Sequence, residues 1–129
     1  MEYYYTAILK GLTFDAAIAK VTSALQKEGF GVLTEIDIKS TFQKKLNVDF
    51  YNYKILGACN APFAFKALQA EEKIGTMLPC NVIVQEKEIG TIEISAINPI
   101  ASMQAIQNDS LGPIAMEVRD KLKRVIDSL

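Results

Sequence analysis

Two cysteines are the side chains of this chain whose chemistry is most versatile. Cys59 and Cys80 are each followed by an asparagine and lie close to a proline, in "CNAP" and "LPCN". A thiol that ionises can act as a nucleophile, exchange with a disulfide or bind a soft metal. The repeated pair of a thiol and an amide is therefore the pattern from which a functional site is sought.

The predicted elements place each cysteine at the end of a strand. Cys59 ends the third predicted strand just before a helix, where the helix dipole lowers a thiol's pKa. Cys80 begins the fourth strand. If the two strands pair antiparallel, the cysteines could lie within about 4 to 7 Å between Cα atoms, as a disulfide requires. If they run parallel, the cysteines lie at opposite ends of the sheet. Three interpretations stay open: two small buried core residues, a redox or thiol-reactive pair, and a soft-metal or cofactor site.

The asparagines and the nearby charges have simpler interpretations. Asn60 precedes Ala-Pro and fits the N-cap of the following helix. Asn81 is unusual in a strand, so we expect it to satisfy a neighbouring loop or to line a pocket with Asn60. Glu35 and Asp37 share a strand face, with Lys54 on the next strand as the natural partner of Glu35. We expect a solvated or salt-bridged face there rather than paired acid-base carboxylates.

The chain contains no histidine and no tryptophan. Histidine is the commonest general acid or base near neutral pH and the commonest nitrogen ligand of zinc. Two thiols without imidazole cannot complete a structural zinc site within one chain unless carboxylates join. We therefore assign no catalytic residue, no metal and no cofactor, and leave open whether the protein is an enzyme.

Charge and hydropathy exclude some partners. The net charge is -1 and no basic block is present, so nucleic acid is not an expected partner even though the five tyrosines could stack on bases. No apolar run approaches the roughly 20 residues of a membrane-spanning helix. The start "MEYYYTAILK" lacks a signal-peptide pattern, and two cysteines do not make a disulfide scaffold. We expect a cytoplasmic protein with reduced thiols.

Hydrophobic periodicity predicts the elements around these residues. "EYYYTAILK", "FGVLTEIDI" and "YKILGAC" read as strands, and "NVIVQEKEIGTIEISAI" reads as a hairpin. "TFDAAIAKVTSALQKEG", "APFAFKALQAEEKIG" and the segment after Pro113 read as helices, the second with an apolar stripe at Phe65 and Leu68. The order βαββαββα predicts an α+β fold over residues 1–129. The chain is predicted to form a single domain with one mainly antiparallel sheet of about five strands and helices on one face. The order of its elements resembles the split-βαβ arrangement.

The other face of this sheet is predicted to be more apolar than a solvent-exposed face requires. The side chains assigned to it are Tyr4, Ile8, Leu33, Glu35, Leu56 and Ile83. A contiguous exposed apolar patch usually marks a contact, so we expect a homodimer. Scattered surface hydrophobes, which are normal in monomers, are the alternative.

Much of the chain resembles the domain of unknown function family 302, a family of small bacterial and archaeal proteins. The matching pieces, in the same order and at similar spacing, are "GFGVLTEIDIKSTFQKKL", "YKILGACNAP", "ALQAE" and "IGTMLPCNV". The resemblance implies an α+β fold with a single sheet and packed helices, and it implies no activity. It also implies that both Cys-Asn pairs belong to the family pattern. The candidate ligand-binding residues are therefore Cys59, Asn60, Pro62, Pro79, Cys80 and Asn81, with Glu35 and Lys54 as candidate face residues.

Three hypotheses of different classes follow. The first is a non-catalytic domain that binds a small molecule or a partner through a patch around the two Cys-Asn segments. The second is a thiol-based redox or thiol-reactive enzyme that uses Cys59, with Cys80 as the resolving thiol. The third is a purely structural homodimeric subunit.

Overall fold

The computed structural model describes residues 2–129 as five strands and five α-helices. The strands are β1 (Tyr4–Lys10), β2 (Gly31–Asp37), β3 (Asn52–Cys59), β4 (Cys80–Glu88) and β5 (Thr91–Ile97). The helices are α1 (Phe14–Lys27), α2 (Ile38–Leu46), α3 (Ala61–Ala70), α4 (Pro99–Ser102) and α5 (Leu111–Asp127), with a 3₁₀ helix at Glu72–Met77 between α3 and β4. Within residues 2–129 no helix has the length and apolarity that crossing a membrane requires.

The five strands form one sheet in the order β1-β5-β4-β3-β2, and every neighbouring pair is antiparallel. This confirms the predicted α+β class and the antiparallel sheet. Strands β1 and β2 run parallel at the two edges, and α1 connects them across the three strands between. The fold therefore resembles a split-βαβ arrangement in one respect: a helix connects two parallel strands that are not neighbours in the sheet.

Helices α1 and α5 cover one face of the sheet, here called the covered face. Thr13 caps the N-terminus of α1, because its hydroxyl accepts a hydrogen bond from the backbone N–H of Ala16 at 3.1 Å. The chain leaves the helix at Gly29, whose φ of 87° favours glycine. Fully buried side chains between α1, α5 and the sheet, such as Leu25, Leu122 and Ile94, form the main core.

The apolar stripe predicted for α3 is wrong. Phe65 and Leu68 are 64% and 44% exposed, whereas Ala67 is buried and Phe63 packs against the main core. The helix is short and nearly all apolar, so its sequence does not distinguish one face from another. Its neighbours decide which face is buried, and the small side chains face inward.

A β-bulge in β2 changes which of its side chains share a face. The pairing with β3 shifts between Val32 and Thr34, so that Leu33 is the extra residue. Val32 stays opposite Ala58 on the covered face, whereas Thr34 lies opposite Gly57 on the other face. An unbroken alternation would place Val32, Thr34 and Ile36 on one face, and the bulge prevents this.

The face of the sheet that α1 and α5 leave uncovered is here called the open face. Tyr4, Ile8 and Ile83 lie on it as predicted. Leu56 does not, because it is fully buried in the core. Its partner Glu35 shares the covered side of the sheet, although at an exposed edge strand, and the bulge turns Leu33 to the same side. The open face is consequently more polar and more aromatic than predicted.

Gly57 allows close packing between three segments at one end of the sheet. A Cβ atom at this position would lie 2.3 Å from Oγ1 of Thr34 and 2.8 Å from Cγ of Pro79, both far inside normal contact distance. A side chain here would push β2 away, or displace Pro79 and with it the start of β4. Gly57 thus holds Pro79 and Cys80 in place against β3.

The first prediction concerns this contact. Gly57→Ala is expected to lower the free energy of unfolding by about 1–3 kcal/mol, because the added methyl group overpacks the site. Denaturant unfolding measures the change. Gly31→Ala is the matched control, since a Cβ atom there meets nothing within 4 Å. Equal stability of the two variants would contradict the proposed packing role.

Candidate functional site

The antiparallel pairing of β3 and β4 brings the two cysteines next to each other. Cys80 is the register partner of Ala58, and Cys59 is the next residue along β3. With strands about 4.8 Å apart and residues about 3.4 Å apart along a strand, the two Cα atoms lie about 6 Å apart. That Cα separation is within the range of a disulfide, but Cys59 lies diagonal to Cys80 and not opposite it, and both cysteines are free thiols.

Asn60 occupies the N-cap position of α3, as predicted, but its side chain does not cap the helix. Its amide Nδ2 instead donates a hydrogen bond to the carbonyl oxygen of Glu28, at 3.1 Å. The same amide packs against Gly29, where a Cβ atom would approach Nδ2 to 3.1 Å. The buried Asn60 side chain therefore joins the end of α1 to the start of α3.

A cleft opens where these segments meet. It is about 290 Å³ in volume and lies between the ends of β3 and β4, helix α3 and helix α5. We call it the Cys-Asn cleft. The side chains of the two Cys-Asn segments that line it are Cys59, Asn60, Pro79 and Cys80. Leu33 and Leu68, which are exposed, also contribute to it, so the cleft is accessible from solvent.

The remaining lining of the Cys-Asn cleft is apolar. Phe30 and Phe63 contribute rings, and Leu78, Met103 and Ile114 contribute flexible aliphatic or thioether groups. Alanines at 64, 67 and 115 line it from α3 and α5 and leave its volume unfilled. Apart from the thiols, the Asn60 amide is the one polar side chain among the described residues around the cleft.

The environment of Cys80 opposes ionisation. Burial, with the neighbouring Cys59 as a second and smaller cause, raises the pKa of the Cys80 thiol to about 11. A thiol that stays protonated near neutral pH is a poor nucleophile and a poor metal ligand until something displaces its proton. The structure thus provides two adjacent thiols without an arrangement that activates Cys80.

Two of the six candidate residues lie outside the Cys-Asn cleft. Pro62 is exposed in the first turn of α3, where its fixed backbone angle suits the helix start. Asn81 points to the open face opposite Gly57, because alternation along β4 turns it away from its neighbour Cys80. The expectation that Asn81 shares a pocket with Asn60 is therefore wrong.

The candidate face residues do not form the expected pair. Lys54 lies opposite Asp37 in the register of β2 and β3, and Glu35 lies opposite Leu56. Lys54 and Glu35 are diagonal neighbours that no ion pair joins.

The residues that sequence reasoning missed are the small ones that create the space. Ala64 and Ala67 are three apart on α3 and Ala115 lies on the buried face of α5, so alanines at helical spacing were the available signal. Alanine at a buried helix position is also compatible with close packing. Only the distance between the helices decides whether such positions leave a cleft.

A metal site is not apparent in the part of the chain that the structure describes. Residues 2–129 contain no group of three or more cysteine, aspartate or glutamate side chains that could surround one ion.

Comparisons with known proteins support the family resemblance. The model of a family described as "Domain of unknown function DUF302" matches residues 5–129. An uncharacterized protein of Aquifex aeolicus (strain VF5) is 27% identical over 94 residues, which cover 73% of this chain and 59% of that relative. The match thus spans less than two thirds of the relative's length. A crystal structure of an uncharacterized conserved DUF302 protein from Bacillus stearothermophilus superposes with a TM-score of 0.88 at 27% identity, covering 98% of both chains.

The second prediction follows from the pKa of Cys80. In the folded chain, iodoacetamide is expected to alkylate Cys80 with a rate that rises to half its maximum near pH 11, because only the thiolate reacts. Peptide mass spectrometry separates this reaction from that of Cys59, and the urea-unfolded chain is the control. Restricted access alone slows alkylation but leaves the pH midpoint at its ordinary value.

The raised pKa of Cys80 also makes the stability of the fold depend on pH. Since the folded state holds the proton of Cys80 more tightly, the unfolded chain loses its proton first as the pH rises. The stabilising contribution is present below the ordinary thiol pKa of about 9 and is lost towards pH 11. An alkylation midpoint for Cys80 near 9 in the folded chain would contradict both expectations.

Proposed function

The chain belongs to the DUF302 family, and we propose that it binds a small, mostly apolar molecule in the Cys-Asn cleft without covalent chemistry. The observation that carries this proposal is the open cleft itself, with apolar walls from α3, α5 and both Cys-Asn segments. Its size sets the ligand class. At about 290 Å³ it is roughly twice the 150 Å³ engineered cavity that binds benzene. A molecule of one or two fused rings, or a short acyl chain, fits this volume.

The energetics favour occupancy. Removing apolar surface from water contributes about 25 cal/mol per Å², so each 100 Å² that a ligand and the walls cover contributes about 2.5 kcal/mol. The walls belong to the α1–α3 junction and to α5, which the core and the Asn60 hydrogen bond to Glu28 hold in place. A preformed cleft loses little conformational entropy when a ligand enters.

The polar groups of the cleft assign the ligand an orientation. The amide nitrogen of Asn60 is used by Glu28, whereas no described residue donates a hydrogen bond to its Oδ1. That oxygen is not fully buried, because residues 2–129 contain no buried side-chain oxygen without a partner. We assign Oδ1 as the acceptor for one donor group of the ligand. An N–H or O–H on an otherwise apolar molecule meets this requirement.

The alternative hypotheses gain less support from the geometry. The thiol-enzyme hypothesis needs Cys80 as a resolving thiol that reacts as a thiolate, and burial raises the pKa of Cys80 instead.

The third prediction tests the Cys-Asn cleft with indole, an apolar two-ring molecule that carries one N–H donor. Because the chain has no tryptophan, the fluorescence of indole can be excited at wavelengths that tyrosine does not absorb. Indole is expected to bind saturably and to raise the melting temperature; at about 100 times its Kd the stabilisation is about 2.7 kcal/mol. Titration fluorimetry and thermal unfolding measure both effects.

A pair of variants locates the indole. Ala64→Phe places a ring into the Cys-Asn cleft and is expected to abolish binding. Ala19→Phe adds the same ring to the exposed surface of α1 and is expected to leave binding unchanged. Circular dichroism checks that both variants fold. Absence of indole binding by the unmodified chain, or equal binding by both variants, would rule out the proposed function.

Association of two copies is a second part of this proposal, supported by apolar side chains on the sheet edges. Ile8 of β1 is 61% exposed and Ile36 of β2 is 46% exposed. The fourth prediction is a mass in solution of twice 14.3 kDa, measured by light scattering during gel filtration. Ile8→Lys is expected to weaken the dimer by placing a charge in the contact. A mass of one copy at micromolar concentration would reject the homodimer. The cytoplasmic location also stays a prediction.

A further inference from the structure

The open face carries a second concavity that the Cys-Asn cleft does not include. It is about 370 Å³ in volume and lies over the middle strands of the sheet. We call it the tyrosine groove. Its side chains that matter here are Tyr3, Tyr4, Tyr53, Asn81, Gln85 and Glu93. The sheet separates it from the Cys-Asn cleft, which lies on the covered side.

The strand register places three of these side chains in one row. Tyr53 of β3 lies opposite Gln85 of β4, and Gln85 lies opposite Glu93 of β5. Directly opposite residues on neighbouring strands have Cβ atoms about 5 Å apart. An aromatic ring, an amide and a carboxylate therefore stand side by side across the sheet, and all three line the groove.

Gln85 is the unusual member of this row. It is only 9% exposed, although it lies on the face that no helix covers. No hydrogen bond within the described chain involves its side-chain amide, and the amide atoms reach solvent in the groove, because residues 2–129 contain no buried side-chain nitrogen or oxygen without a partner. An amide whose hydrogen bonds are made to water can exchange that water for a polar group of a ligand. The groove thus offers hydrogen-bonding capacity that the fold does not use.

The other groups around the groove are negative or electron-rich. Glu93 is the only charged residue among the described residues that line it, and none of the ion pairs of residues 2–129 includes it. Tyr3 and Tyr4 contact edge to face, with ring centroids 4.9 Å apart. Their ring faces and that of Tyr53 are attractive to cations. Ser95 is already engaged, since its hydroxyl hydrogen-bonds that of Thr6 at 2.8 Å.

We propose that the tyrosine groove binds an organic cation through an alkylated ammonium group. Glu93 supplies the opposite charge, the tyrosine rings supply cation–π contacts to the alkyl groups, and the Gln85 amide meets a neighbouring polar group of the ligand. One carboxylate and no imidazole do not make a site for a bare metal ion, which takes more oxygen or nitrogen ligands. A neutral ligand would leave the carboxylate without a partner.

The test uses choline and its uncharged analogue neohexanol, in which carbon replaces the nitrogen. The emission of the chain comes from tyrosine because tryptophan is absent, and three of the five tyrosines line the groove. Choline chloride is expected to change this emission saturably, whereas sodium chloride at equal concentration and neohexanol are not. Equal binding of neohexanol and choline would overturn the proposal, because the site would then be apolar.

Two variants test whether the charge of Glu93 contributes to choline binding. Glu93→Gln keeps the shape of the side chain and is expected to weaken choline binding about tenfold or more, a loss of about 1.4 kcal/mol or more. Glu88→Gln makes the same change at an exposed position of β4 outside the groove and is expected to have no effect. Thermal unfolding confirms that both variants fold. Equal choline affinity of the two variants would overturn the proposal. Absence of choline binding by a chain whose mass shows a dimer would also overturn it, and would indicate that the second copy occupies the groove.

Discussion

The antiparallel pairing of β3 with β4 is the constraint on which the candidate site depends. It sets Cys80 opposite Ala58 and so beside Cys59, two residues that 20 positions of chain separate. The intervening segment has to return to the same end of the sheet, and α3 with the 3₁₀ helix does so. The cleft forms because this returning segment meets α5 through small side chains and leaves a gap above the strand ends.

Two close contacts hold that geometry. Gly57 lets Thr34 and Pro79 approach the backbone of β3 from either side, and Asn60 joins the end of α1 to the start of α3. Neither contact lies in the main core, and both involve residues next to the cysteines. The thiols are consequently held in a rigid frame, while the space between α3 and α5 stays free for a ligand.

The sequence predicted the class of the fold and most elements because periodicity and caps are local signals. Thr13 and Gly29 bound α1 as their chemistry requires, and alternation identified every strand. It did not predict the bulge at Leu33, since an inserted residue leaves no mark in composition. It also placed Asn81 with Asn60, although alternation along β4 puts Asn81 on the other face. The sequence did not predict the tyrosine groove for a related reason. Its row of side chains comes from three strands, and only the register of the sheet aligns them.

The two faces of the sheet therefore offer sites of different chemistry. The covered face has an apolar cleft with one amide oxygen and two free thiols at its edge, and burial raises the pKa of the Cys80 thiol. The open face has a groove with a carboxylate, an unpartnered amide and three aromatic rings. Each site contains a polar residue where local preferences favour another type: an asparagine at a strand end in the cleft and a buried glutamine on the uncovered face in the groove. Such departures from local preference are typical of functional positions.

The central claim is that the Cys-Asn cleft holds an apolar ligand, and nuclear Overhauser contacts between bound indole and the methyl groups of the chain test it most directly. The account predicts contacts to the methyl groups of Ala64, Ala67 and Leu78, which line the cleft together. Contacts to Ile83 on the open face, or no intermolecular contacts at saturating indole, would contradict it.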